Sequence, residues 1–255
     1  ALDYVVKPVR SLITIDAEQM REELINKIKS ICWSKTGYFP QIKPEYKPPS
    51  VYKKVKHKSR SDEYLKYIVA IGTSTGGPKA LQEVVTKLPE DIPAAVLIVQ
   101  HMPPGFTKSL ANRLDSLSEI NVKEAEDGDV LTSGWAYVAP GNYHMLVKSH
   151  EDNKYKILLN SEAPENGLRP SVNVMMKSVA ETGHDKIIAV IMTGMGSDGS
   201  EGILEIKNAG GKTIAQDERT CVVYGMPKSA VNTGAIDTIA PLHGITGEIL
   251  KCMGV

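Results

Sequence analysis

The chain has 255 residues, 42% of them hydrophobic, and its Lys+Arg and Asp+Glu counts are both 30. That length holds one large domain, or a domain and an appendage, with enough apolar material for a core. The zero net charge gives no pull toward nucleic acid or an anionic membrane, no continuous apolar run reaches the roughly 18 residues that cross a bilayer, and no signal-peptide pattern is present.

In chain order, "ALDYVVKPV" reads as a strand, and Asp16 with Gln19 three residues on caps a helix carrying Met20, Leu24, Ile28 and Ile31 at helical spacing. One strand and one helix cannot bury their own apolar faces. Residues 1–32 are therefore expected to be the tail of a domain whose body lies elsewhere. Residues 33–62 carry eight basic residues (Lys35, Lys43, Lys47, Lys53, Lys54, Lys56, Lys58 and Arg60) against Glu45 and Asp62, among many prolines and few aliphatics. That composition reads as a solvated basic linker.

From residue 63 to 255 strands and helices alternate. Strands are expected over Tyr67–Ile71, Ala94–Gln100, Lys186–Thr193, Lys212–Gln216 and Ile236–Ala240. Helices are expected over Lys79–Leu88, Thr107–Leu117, Ser171–Glu181, Ser200–Asn208 and Thr246–Cys252. "AAVLIVQ" and "KIIAVIMT" are apolar throughout, as parallel strands covered on both faces must be. Residues 122–160 alternate more and are broken by Gly, Pro, Asn and Asp, which suggests an antiparallel excursion. The fold class implied is α/β: a doubly wound, mostly parallel sheet with helices on both faces.

Open parallel sheets bind ligands beyond the carboxyl ends of their strands, so the residues that follow each strand matter most. The first strand is followed by "GTSTGG" with Ser74, the second by "HMPPGF" with His101, and the third by "GMGSDG" with Asp198. A serine, a histidine and an aspartate at one sheet edge are what a hydrolytic triad needs: nucleophile, base and orienting carboxylate. "GTSTG" also has the G-x-S-x-G spacing of a nucleophile elbow, which would present Ser74 near a helix N-terminus whose free N–H groups can receive an oxyanion. The chain order Ser–His–Asp differs from that of the α/β-hydrolases.

Each residue alone has a plainer reading: a helix cap for Ser74, a packing or surface residue for His101, turn chemistry for Asp198. A phosphate-binding P-loop is excluded because Pro78 follows Gly77 and no Ser or Thr follows Lys79. A dinucleotide fingerprint lacks its second glycine, which leaves nucleotide binding as a weak rival. Cys32, Cys221 and Cys252 are scattered and odd in number, suiting reduced thiols, and His57, His144, His150, His184 and His243 show no metal-ligand spacing.

Four stretches, "IGTSTGGPKAL", "VQHMPPGFTKSLANRL", "YVAPGNYHM" and "VIMTGMGSDGSEGI", resemble the bacterial chemotaxis protein-glutamate methylesterases/protein-glutamine glutaminases, over essentially all of residues 67–254. "ALDYVVKP" resembles the end of the response-regulator receiver domain that precedes the catalytic domain in that family, with Lys7 at its signalling lysine. The resemblance implies Ser74 as nucleophile, His101 as base and Asp198 as orienting carboxylate, with Thr75 and Met195 contributing to the oxyanion hole chiefly through backbone N–H groups. It implies hydrolysis of γ-glutamyl methyl esters, and deamidation of certain glutamines, on the cytoplasmic helical bundle of methyl-accepting chemoreceptors. It further implies a cytoplasmic monomer without cofactor or metal, no nucleic-acid partner and no membrane insertion. A histidine kinase would act on the intact receiver domain, whose phosphoacceptor aspartate is not among these residues.

Overall fold

The computed structural model describes residues 65–150 and 154–254. The sequence expectations for residues 1–32 and 33–62 lie outside those residues. The most apolar runs form the middle of the sheet. Strands β1 (Tyr67–Thr73) and β2 (Ala94–Gln100) are buried at every position, as is β7 (Ile187–Ile191). Each pairs in parallel with its neighbour, Ile71 opposite Ile98 on one side and Val190 on the other.

The remaining strands are β3 (Asn121–Glu124), β4 (Trp135–Val138), β5 (His144–His150), β6 (Lys154–Asn160), β8 (Lys212–Gln216) and β9 (Thr238–Ala240). Seven strands form one sheet in the order β3-β4-β2-β1-β7-β8-β9, and β5 with β6 forms a separate hairpin. The helices are α1 (Gly77–Val85), α2 (Phe106–Leu117), α3 (Val172–Glu181), α4 (Ser200–Asn208), α5 (Met226–Asn232) and α6 (Ile245–Met253).

Alternate strand residues face opposite sides, which gives two cores. Val69, Ile71, Val96 and Ile98 pack with Leu81, Val84, Leu110, Leu114, Ile245 and Ile249 from α1, α2 and α6. Ile68, Ala70, Leu97 and Val99 pack on the other face with α3, α4, α5 and the hairpin, through Val172, Met175, Met176, Ile203, Met226, Met145 and Ile157. Each such Val, Leu, Ile or Met side chain contributes roughly 1.5–3 kcal/mol when fully buried. The doubly wound expectation holds.

The antiparallel part is smaller than residues 122–160. Strands β3 and β4 join the main sheet in parallel register, Val122 opposite Ala136 and Val96 opposite Ala136, and only β5 and β6 run antiparallel. Alternation in a sequence reports one-sided exposure, and β3, at the edge of the parallel sheet, is only partly buried, whereas β4 lies inside the sheet between β3 and β2. Helix α5 was not expected from the sequence: "MPKSAVN" is short, and its buried side is only Met226, Pro227 and Ala230.

Gly72 sets how closely α3 approaches β1. A Cβ there would lie 2.4 and 2.9 Å from the two methyls of Val172 and 3.1 Å from Ile191 Cδ1. Gly72→Ala is therefore expected to cost about 1–3 kcal/mol in a urea melt through overpacking. The Gly72→Ala/Val172→Ala double variant should lose measurably less than the sum of the two singles, because both act on one contact.

Candidate active site

The parallel register decides which residues meet at the carboxyl edge. Thr73 pairs with Gln100 as the last rung between β1 and β2, and the His101 N–H then donates to Thr73 O at 3.2 Å. Ser74 and His101 are thus the next residues on two adjacent strand ends. Ser74 donates its own N–H to Thr193 O at 3.0 Å, and its carbonyl accepts from Gly77 N at 2.8 Å, closing the turn into α1. The serine is half-buried and Thr75 exposed. Among the described residues, the Ser74 hydroxyl makes no hydrogen bond, and neither the Thr75 nor the Met195 N–H has an acceptor.

Asp198 lies between β7 and α4. Its Oδ2 is 2.8 Å from His101 Nε2, with side chains 4% and 10% exposed respectively. With Nε2–H donating to the carboxylate, the basic lone pair of the neutral ring sits on Nδ1, which has no partner among the described residues.

Three further donors come from the start of α3. Ser171 Oγ donates to Asp198 Oδ1 at 2.9 Å, Val172 N to Oδ2 at 2.7 Å and Asn173 N to Oδ1 at 2.9 Å. Free N–H groups at a helix N-terminus form an anion site, and here the anion is a side chain from elsewhere in the fold. Burial alone would raise the carboxyl's pKa. The His101 hydrogen bond and the Asn173 and Val172 N–H groups outweigh burial and hold Asp198 below its ordinary value.

The arrangement is reciprocal. Asn173 Oδ1 accepts from Gly199 N at 2.8 Å and Gly202 N at 2.9 Å, capping α4 while Asp198 caps α3. His144 is buried beside them; its Nδ1 accepts from Ser171 N at 3.2 Å, and its Nε2 lies 3.2 Å from Ala163 O.

Thr193 ties the serine turn to the next loop. Its hydroxyl donates to Thr75 O at 2.9 Å and accepts from Val222 N and Val223 N, while its N–H donates to Gln216 Oε1 at 2.9 Å. The exposed side chain of Met195, 74% accessible, stands two residues further on. The structure therefore joins His101 to Asp198 directly, sets Ser74 beside His101 by strand register, and leaves Thr75 and Met195 on the two flanking loops.

Sequence reasoning missed Ser171, Asn173, His144, Gln100 and Thr193. For Gln100 and Thr193 the available signal was a polar residue closing an apolar run, as in "AAVLIVQ"; Ser171, Asn173 and His144 carried no such mark.

A family model described as CheB methylesterase matches residues 69–249, from β1 into α6. The chain belongs to the CheB methylesterase family. It is 46% identical to a protein-glutamate methylesterase/protein-glutamine glutaminase of Syntrophomonas wolfei, over 99% of this chain and 72% of that relative. It is 44% identical to a Pyrococcus horikoshii protein of the same name, over 100% of this chain and 68% of the relative. The crystal structure of the Thermotoga maritima CheB methylesterase catalytic domain matches with a TM-score of 0.70 and 45% identity, covering 73% of this chain and 97% of that one.

The carboxylate cage of this CheB-family chain makes acid stability a readout. Asp198's folded-state pKa lies below its unfolded value of about 3.9. Its ionisation thus contributes stability that is fully present above that value and is lost as pH falls through the folded pKa. The stability gap between wild type and Asp198→Asn, measured by urea denaturation, should stay constant at neutral pH and narrow once pH drops below about 4.

Proposed function

We propose that the chain is a serine hydrolase that removes methyl groups from γ-glutamyl methyl esters of chemoreceptors and deamidates particular receptor glutamines to glutamate. The observation that carries this reading is the 2.8 Å hydrogen bond between His101 Nε2 and Asp198 Oδ2 at the strand end beside Ser74. The names of the relatives supply the substrate class.

In this mechanism His101 Nδ1 takes the Ser74 hydroxyl proton as Oγ attacks the ester carbonyl. Asp198, held ionised by α3, keeps Nε2 protonated and stabilises the imidazolium that forms. The unpartnered N–H groups of Thr75 and Met195 receive the developing oxyanion, where each such donor is worth about 10²–10³ in rate. Collapse expels methoxide, which leaves as methanol with the proton from His101. His101 then activates water, which cleaves the acyl-enzyme to give glutamate and restores Ser74. Deamidation follows the same course with ammonia as the leaving group.

We read residues 63–255 as the catalytic domain, 33–62 as a linker and 1–32 as the end of a receiver domain on which a histidine kinase acts in the intact protein. The substrate is the cytoplasmic helical bundle of the receptor, which places the enzyme in the cytoplasm. Among the described residues no helix is long and apolar enough to cross a membrane.

Methanol release from a methylated receptor fragment tests the assignment. Ser74→Ala should lose at least about 10³-fold in kcat, and Asp198→Asn about 10³–10⁴-fold through the wrong histidine tautomer. Ser74→Ala should keep its melting temperature. Release that survives Ser74→Ala unchanged would reduce the serine to a helix-turn residue and sink the reading.

A further inference from the structure

Ser74 and His101 follow the last paired residues of β1 and β2; the His101 N–H still reaches back to Thr73 O at 3.2 Å, whereas the Ser74 N–H turns away to Thr193 O. No ladder bond holds the two residues to each other there, yet the proposed proton transfer needs their side chains in fixed register. The side chain of Gln100 supplies the missing rung. It is the last residue of β2 and is 2% exposed. Its Nε2 donates to Ser74 O at 3.1 Å and to His101 O at 3.1 Å, using both amide hydrogens on the carbonyls of the two residues in question.

The orientation of the amide is dictated by its partners. The reverse orientation would set Oε1 against two carbonyl oxygens. As it stands, Oε1 accepts from Thr73 Oγ1 at 2.7 Å, from a side chain that is itself fully buried. The amide fits because the neighbouring helix start lacks a side chain: a Cβ on Gly77 would lie 1.9 Å from Gln100 Oε1.

We propose that Gln100, locked by Thr73, is a positioning residue that sets the spacing of Ser74 from His101 by bridging their backbone carbonyls. The proposal rests on the serine-hydrolase reading above. Gln100 touches no reacting atom, so its effect is on kcat rather than on substrate affinity.

The test compares Gln100→Met, Thr73→Val and Thr73→Ser in the methanol-release assay on the full chain, with Ser74→Ala as the control. Gln100→Met keeps length and removes both donors. It should lower kcat by about 10–100-fold, the scale of a misplacement of roughly an ångström, with KM for the receptor fragment changed by less than about two-fold. Thr73→Val should lower kcat in the same direction, and Thr73→Ser, which keeps the hydroxyl, should recover most of that loss. A Gln100→Met enzyme with wild-type kcat overturns the proposal, as does a loss carried by KM.

Should Gln100→Met fail to fold, the Thr73 pair decides: a valine–serine difference in kcat at matched melting temperature supports the clamp, and equal rates overturn it. Undiminished release from Ser74→Ala overturns the serine-hydrolase reading instead, so the two failures are told apart.

Discussion

A buried carboxylate at the start of a helix organises this molecule. Asp198 would be costly to keep ionised in a nearly dry position, and four donors remove that cost: Ser171 Oγ, the Val172 and Asn173 N–H groups, and His101 Nε2. Three of the four come from the start of α3, and two of those are peptide N–H groups that the helix start must satisfy anyway. The same contact ends α3's need for a cap and fixes the imidazole that the proposed chemistry uses. Asn173 returns the favour to α4, so the loop bearing Asp198 is held from both sides.

The position of that cage follows from the parallel sheet. In β1, β2 and β7 the chain runs the same way, so three loops of separate sequence origin emerge at one edge. Strand register then does what no local feature could: Ser74 is next to His101 because Thr73 is opposite Gln100. The edge is not finished with apolar side chains. Thr73, Gln100, Thr193 and Gln216 are all buried there, and their side chains hydrogen-bond to backbone, to one another or, for Gln216 Nε2, to Thr220 Oγ1. Losing one partner of such a buried set leaves the others unsatisfied, typically at about 1–3 kcal/mol per group. That stake makes the base of the site rigid while Thr75 and Met195 above it remain exposed.

The two faces of the sheet divide the work. Helices α1, α2 and α6 cover one face with an apolar core. The other face carries α3 and α4 as well as the hairpin, and it is this face that delivers the anion-binding helix start to Asp198. Close approach there depends on Gly72, which clears the space that Val172 fills. A substitution in the core can thus reach the site through the angle of α3 without touching a polar atom.

The sequence by itself placed five of the nine described strands and most of the helices, and set Ser74, His101 and Asp198 just past strand ends, because burial and turn chemistry are local: an apolar run of strand length followed by turn residues says where a parallel strand stops. Direction and partnership were not local. Strands β3 and β4 fall in a stretch whose alternation and turn residues suggest an antiparallel excursion, yet they lie parallel in the main sheet, since such a pattern records exposure and not strand direction. The same holds for the polar partners. Asp198 meets Ser171 across 27 positions of chain, and Gln100 meets Ser74 across 26. Neither pairing leaves a trace in periodicity or composition. Only the tertiary structure decided them, because a hydrogen bond needs two groups brought within about 3 Å, and that closeness is a property of packed helices and strand register rather than of any short stretch of residues.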